Sequence, residues 1–172
     1  DSNRYTLHGM LARLGCEIVD LGVVRDDPAA IEAAFREAAA RADAIITSGG
    51  VSVGEADFIR DLMAKLGEVA FWKIAMRPGR PMAVGRIPAG DQRSTILFGL
   101  PGNPVAVMVT FYAFVRDALL KLSGVAPVAP LPRFRVPCVT PLKKRPGRSE
   151  FQRGVLFHEN GEWKVRATAS QG

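Results

Sequence analysis

Ala44-Ile45-Ile46-Thr47-Ser48-Gly49-Gly50-Val51-Ser52-Val53-Gly54-Glu55-Ala56-Asp57 is the stretch that decides the fold. Ala44 to Thr47 is a short apolar run with β-branched side chains, the pattern of a strand buried on both faces. It breaks into a glycine-rich turn, and a helix is expected from Glu55 or Ala56 to Leu66. The same strand–loop–helix grammar recurs further along. Thr95 to Leu100 reads as a strand, Pro101-Gly102-Asn103-Pro104 as a turn, and Val105 to about Leu122 as a long helix. Upstream, Leu7, Met10, Leu11 and Leu14 have helical spacing, and Gly15 stands where a helix stop is expected. Cys16 to Val24 reads as a further strand. Asp26-Asp27-Pro28 announces the next helix, an acidic cap followed by proline in the first turn, running to about Arg41. Val69 to Ala75 and Pro81 to Arg86 read as strands on either side of Arg77-Pro78-Gly79-Arg80, and Ile87 to Ser94 as an exposed turn. Alternating strands and helices of this size predict an α/β class with a mainly parallel sheet covered on both faces.

The grammar changes after a proline-rich segment, Ala126 to Pro132, which is the expected boundary between a first domain (1–125) and a second (133–172). Phe134 to Leu142 and Phe151 to Thr168 alternate in the β manner, and Asn160-Gly161 marks a hairpin turn. The chain starts at Asp1 without Met or leader and ends before such a sheet closes, so it reads as a piece carrying an incomplete second domain.

The 172 residues carry a formal charge of +6, which favours anionic partners without choosing among them. The excess is concentrated at Lys143, Lys144, Arg145, Arg148 and Arg153. No aromatic side chains interleave there as a stacking platform, so nucleic acid is not the expected partner. The longest apolar stretch, Val105 to Val115, is too short to span a bilayer. Cys16 and Cys138 have no metal-ligand spacing and are expected as reduced, buried thiols of a cytoplasmic protein.

Ligands of α/β sheets bind where strands end and helices begin, so the loops carry the candidate site. In the first, Gly49, Gly50 and Gly54 let backbone approach a ligand, while Ser48 and Ser52 add hydroxyls. It is neither a Walker loop nor a Gly-x-Gly-x-x-Gly fingerprint. In the second, Pro101 and Pro104 stiffen Gly102 and Asn103 into the rigid geometry that preorganised anion recognition needs. In the third, Lys73, Arg77 and Arg80 offer cations to phosphate or another oxyanion. Each also has a plainer reading: a flexible connection, a proline-initiated helix and a solvated basic turn. Asp26 and Asp57 follow strands at one end of the sheet, placed to hold Mg²⁺ against a phosphate. Asp27 is assigned to helix capping, and capping remains the competing role for Asp26. His8 and His158 show no ligand or triad spacing, and no Gly-x-Ser-x-Gly or His-x-x-x-His occurs.

Taken in order, Asp1-Ser2-Asn3-Arg4, Arg25-Asp26-Asp27-Pro28, Thr47 to Asp57, Phe71 to Gly79, Leu100 to Pro104, and Pro146-Gly147-Arg148 with Phe151-Gln152-Arg153-Gly154 resemble the molybdopterin molybdotransferase family, that of bacterial MoeA and the gephyrin E domain. The resemblance runs along essentially the whole chain. It implies a three-layer α/β/α, MogA-like molybdopterin-binding domain followed by part of a small β-barrel-like domain. The activity implied is insertion of molybdate into adenylylated molybdopterin (molybdopterin-AMP), with AMP released and Mg²⁺ assisting. By motif, Asp57, Asp26, Lys73 and Arg77 are implied as catalytic, with Asp57 and Asp26 toward the metal. Ser48, Gly49, Gly50, Ser52, Gly54, Pro101, Gly102, Asn103, Pro104 and Arg153 are implied in substrate binding.

The family usually has lysines where this chain has Arg77 and Arg80, which exchanges point charges for planar bidentate donors. It also has a first strand and two domains ahead of Asp1, and a serine-bearing segment after Gly172. The resemblance further implies a homodimer for the intact protein, contact with the molybdopterin adenylyltransferase, and no turnover by this piece alone. Two other readings compete. The adenylyltransferase itself shares the α/β domain, but Pro-Gly-Asn-Pro and the β segment after Pro132 argue against it. A non-catalytic scaffold would need a peptide groove that no sequence feature indicates.

Overall fold

The computed structural model describes residues 2–49, 62, 64–90 and 92–169, with backbone only at Phe71 and Trp72. Helix α1, Ser2–Arg13, ends at Gly15, whose φ of 77° is the left-handed conformation that a glycine adopts without penalty. Helix α2, Pro28–Arg41, begins as its sequence prescribes: the Asp27 carboxylate accepts the Ala30 N–H at 2.9 Å and Pro28 opens the first turn. Strand β1, Ala44–Ser48, follows. The helix expected up to Leu66 is seen at its C-terminal end, residues 64–66; its start lies outside the described residues. Strands β2 (Glu68–Lys73), β3 (Met76–Arg77), β4 (Pro81–Pro88) and β5 (Ser94–Leu100) come next.

Helix α3, Pro104–Thr110, passes through a π-turn, Phe111–Val115, into α4, Arg116–Leu122. The Thr110 hydroxyl donates toward the carbonyls of Ala106 and Val107 at 2.7 and 3.1 Å, competing with backbone N–H groups where the ladder widens.

The principal sheet has the order β1-β5-β4-β2. Its two faces are covered separately, as successive side chains on one strand point to opposite sides. Ile45, Ala83, Ile87 and Leu97 pack with Phe35 and Ala39 of α2 and with Leu62 and Leu66. Met82, Phe98 and Leu100 pack on the other face with Leu7 and Met10 of α1 and with Val107, Phe111, Val115 and Leu119. The three-layer α/β/α arrangement therefore follows from the pleat.

Several local expectations need correction. The described sheet is mixed rather than mainly parallel: β1 and β5 are parallel, whereas β4 runs antiparallel to both β5 and β2. A parallel pair needs a long crossover, but only a tight turn, closed by Ala89 N–H to Arg93 O, separates β4 from β5. Ile87 belongs to β4 and is 2% exposed, not part of an exposed turn. Cys16 to Val24, with Gly22 at a φ of 73°, joins no ladder. It borders a cavity of about 450 Å³ whose other walls are α1, α2 and the outer edge of β1. Neither cysteine is fully buried: Cys16 is partly covered and Cys138 is exposed.

After α4, residues 123–137 carry no helix or strand. The expected strand from Phe134 to Leu142 reduces to a single bridge, Cys138 to Val165. Pro137 and Pro141 lack the N–H that a ladder requires. Strand β6, Ser149–Glu150, pairs in parallel with β3. Strands β7, Gly154–Glu159, and β8, Glu162–Ala167, form the expected hairpin. Asn160 and Gly161 take φ of 51° and 82°, the positive angles of a two-residue hairpin turn.

Candidate functional site

β1 and β5 run in one direction, and β2 shares it because both β2 and β5 are antiparallel to β4. Ser48, Leu100 and Lys73 therefore end three strands at one edge of the molecule, where the candidate loops emerge. The first two loops meet directly. Gly49 N–H donates to Leu100 O at 3.1 Å, and a Cβ placed on Gly102 would lie 3.8 Å from the Gly49 Cα. Of the first loop, Ser48 and Gly49 are described; Gly50, Ser52, Gly54 and Asp57 lie outside the described residues.

The second loop is fixed at both ends. Pro101 is buried, and the Asn103 carboxamide oxygen accepts the N–H groups of Val105 and Ala106 at 3.0 and 3.1 Å. Asn103 thus serves as the N-cap of α3, with Pro104 in its first turn. From outside the loop, the Asn3 side-chain N–H donates to Gly102 O at 2.7 Å. Asn3 is a residue that the sequence reading did not single out by chemistry. Its signal was weak, because an asparagine near a helix start ordinarily reads as a local cap.

The basic turn joins this assembly through α3. Gly79, at φ 98°, lies so close to the helix that an added Cβ would sit 2.6 Å from Thr110 Cγ2. Ile74 N–H donates to Arg80 O at 2.7 Å, closing the turn, and the Arg77–Pro78 peptide is cis. Arg77 and Arg80 are exposed around the buried glycine. The chain beyond residue 148 is knitted to the same turn. Ser149 N–H donates to Ala75 O and Phe151 N–H to Arg77 O, both at 2.8 Å. Arg153 follows Phe151 by two residues, and its carbonyl accepts the Thr168 N–H at 3.0 Å. Lys73 is the last residue of β2, in register with Pro81, and its side chain is exposed.

Asp26 lines the 450 Å³ cavity together with Ser48 and Gly49. The cavity wall is largely apolar, with Leu7, Leu11, Ile31, Phe35 and Ile45 in it, so an anion is not expected against that part. The sheet order puts β1 and β2 at opposite edges, so Ser48 and Lys73 stand about 14 Å apart, three interstrand spacings. The described candidates at the strand ends therefore form a row along the sheet end rather than a compact cluster.

Ion pairs join Arg4 to Asp20, Arg148 to Glu150 and Lys164 to Glu159. Asp20 is held below the ordinary carboxylate range by hydrogen bonds from Arg4 and the Gly22 N–H; the Arg4–Asp20 contact is 2.8 Å. Glu150 is lowered chiefly by its hydrogen bond from Arg148 at 2.8 Å. Lys164, paired with Glu159, is raised. Among the described residues no group of three or more His, Cys, Asp or Glu is placed to hold a metal ion, and no helix is long and apolar enough to cross a membrane.

The three-layer α/β/α domain gathers its described loops at one sheet end, the place where α/β sheets bind ligands. The chain belongs to the family described as the probable molybdopterin binding domain, whose model matches residues 1–121. It is 44% identical over 173 residues to a molybdopterin molybdenumtransferase of Haemophilus influenzae, covering all of this chain and 42% of that protein. A second molybdopterin molybdenumtransferase, from Nostoc, is 42% identical over 127 residues, 73% of this chain and 29% of its own length. The chain thus spans less than half the length of these relatives. A molybdenum cofactor biosynthesis protein of Pyrococcus furiosus superimposes with a TM-score of 0.72 at 26% identity, covering 99% of this chain and 52% of that structure.

Proposed function

We propose that this chain is the pterin-facing part of an enzyme that inserts molybdate into adenylylated molybdopterin and releases AMP. The observation that carries the reading is the meeting of the Gly49 and Gly102 loops at the ends of β1 and β5, with the Arg77–Arg80 turn packed beside them. A row about 14 Å long suits an extended substrate whose phosphates and pterin lie across several strand ends. The molybdopterin-binding family and the names of the relatives support the same substrate class.

In this reading the glycine loop, through Ser48, Gly49, Gly50, Ser52 and Gly54, cradles a phosphate. Pro101, Gly102, Asn103 and Pro104 present a rigid wall beside the oxyanion. Lys73, Arg77 and Arg153 neutralise phosphate and molybdate charge, which lets the two anions approach each other. Asp57, with Asp26, would hold Mg²⁺ or position water for cleavage of the phosphoanhydride. Of that pair Asp26 is described: it is exposed and lines the cavity, whereas its neighbour Asp27 is committed to the α2 cap. Mg²⁺ takes one or two carboxylates and fills its remaining positions with water and substrate phosphates, and when bound it supplies charge neutralisation there. The sulfurs that take up molybdenum belong to the substrate, so neither Cys16 nor Cys138 is required.

The intact protein is expected to be a cytoplasmic homodimer that receives its substrate from the molybdopterin adenylyltransferase. The test is AMP release by the full-length protein. Molybdate should trigger release from adenylylated molybdopterin, and Asp57→Ala should abolish it without lowering Tm. Consumption of ATP with free molybdopterin, without molybdate insertion, would assign the adenylyltransferase activity instead.

A further inference from the structure

Asn3 is 8% exposed, and its two side-chain polar atoms are treated very differently. The N–H donates at 2.7 Å to Gly102 O, a contact spanning 99 positions of sequence. The carboxamide oxygen is buried with no hydrogen-bond partner. A buried, unpaired carbonyl costs free energy, so a residue chosen only for packing would be a leucine of nearly the same shape. The contact made is with the backbone of the Pro-Gly-Asn-Pro loop.

The Gly102–Asn103 peptide is trans, and in a planar trans unit the C=O and N–H point in opposite directions. Holding Gly102 O toward α1 therefore turns the Asn103 N–H away from α1. Asn103 is exposed, and its N–H finds no acceptor among the described residues. The Asn103 side chain is already spent on Val105 and Ala106, so it is the backbone N–H of this residue that is left to face a ligand.

We infer that Asn3 is a positioning residue that sets the Gly102–Asn103 peptide plane so that the Asn103 N–H serves as a fixed hydrogen-bond donor to an oxyanion, molybdate in the proposed reaction. The inference rests on the function proposed above. It adds a donor that no side chain supplies and a residue that aims it. Fixed backbone donors cost no reorganisation when the anion arrives, which is why the aim of one peptide matters.

The test uses the full-length protein and Asn3→Leu, which keeps the shape while removing both the clamp and the orphaned oxygen. Stability should stay close to wild type, because removing the unpaired buried carbonyl offsets the lost hydrogen bond to Gly102 O. The KM for molybdate should nevertheless rise about tenfold to a hundredfold, the loss of one hydrogen bond to a charged group. The KM for adenylylated molybdopterin should stay within twofold. Stability and KM thus move independently, which a merely structural role cannot produce. A second measurement needs no variant: on titration of wild-type protein with molybdate, the Asn103 amide resonance should shift in a saturable manner. An unchanged molybdate KM in a folded Asn3→Leu protein, or an Asn103 amide that ignores molybdate, overturns the inference. Wild-type protein that releases no AMP on adding molybdate refutes the proposed function instead.

Discussion

Gly79→Ala tests the packing that joins the basic turn to the rest of the site. Gly79 has φ 98°, and an added Cβ would stand 2.6 Å from Thr110 Cγ2 and 3.3 Å from Met76 Cε. The methionine end can move, but Thr110 is fully buried and its hydroxyl is tied to Ala106 O. An L-residue in the left-handed region costs about 1–2 kcal/mol. Overpacking against a buried methyl adds about 1–3 kcal/mol. Alanine stiffens the unfolded chain and returns about 0.4–1 kcal/mol. The net expectation is a loss of about 1–5 kcal/mol in urea unfolding.

Thr110→Ser keeps the hydroxyl and removes the clashing methyl. In the Gly79→Ala background it should therefore recover the steric part, about 1 kcal/mol or more of coupling in a double-mutant cycle. It should not recover the backbone part. A Gly79→Ala protein within about 0.5 kcal/mol of wild type would refute the close approach. Absence of coupling to Thr110 would refute the steric explanation even if the variant were unstable.

Two further expectations concern the frame. Asp27→Ala should cost about 0.5–2 kcal/mol by removing the α2 cap, while Asp26→Ala should leave urea stability unchanged; equal losses at both positions would contradict the division of labour between them. Glu150, lowered by its hydrogen bond from Arg148, contributes stability that is present above the ordinary glutamate pKa and lost as pH falls through its own lowered value. In acid titration of the chain, Arg148→Ala should therefore flatten the stability change below the ordinary glutamate range, and an unaltered acid limb would show that this ion pair does not couple to folding.

Much of the frame was legible because local chemistry and tertiary demand agree. Asp27-Pro28 wrote the start of α2, Gly15 the end of α1, and Asn160-Gly161 the hairpin. The apolar run at Ile45-Ile46 fits a strand covered on both faces, since its side chains alternate between the two cores. The sheet's direction was not legible: strand–turn–strand around Gly90 needs pairing partners to be known, and periodicity is the same for parallel and antiparallel strands. Cys16 to Val24 shows the converse failure. Its composition suits a strand, but a strand exists only where a neighbour supplies hydrogen bonds, and its side toward β1 is occupied by the cavity.

At the site, the residues that present chemistry on loops were readable one by one, as charge, glycine and proline punctuate the sequence. Their joining was not. The contacts of Gly49 with Leu100, Gly79 with Thr110 and Phe151 with Arg77 are all long-range. Asn3 was missed as a functional residue for the same reason, its partner being 99 residues away.

The central claim is that the loops at the ends of β1 and β5, with the Arg77 turn beside them, receive an adenylylated pterin and molybdate. Calorimetric titration of the full-length protein with adenylylated molybdopterin and molybdate tests it most directly, run in parallel on wild type and Arg77→Ala. Saturable heat in the wild type, weakened at least tenfold by Arg77→Ala through loss of a charge-assisted contact, is the predicted result. No heat with either ligand, or identical affinity in both proteins, would contradict the site as described.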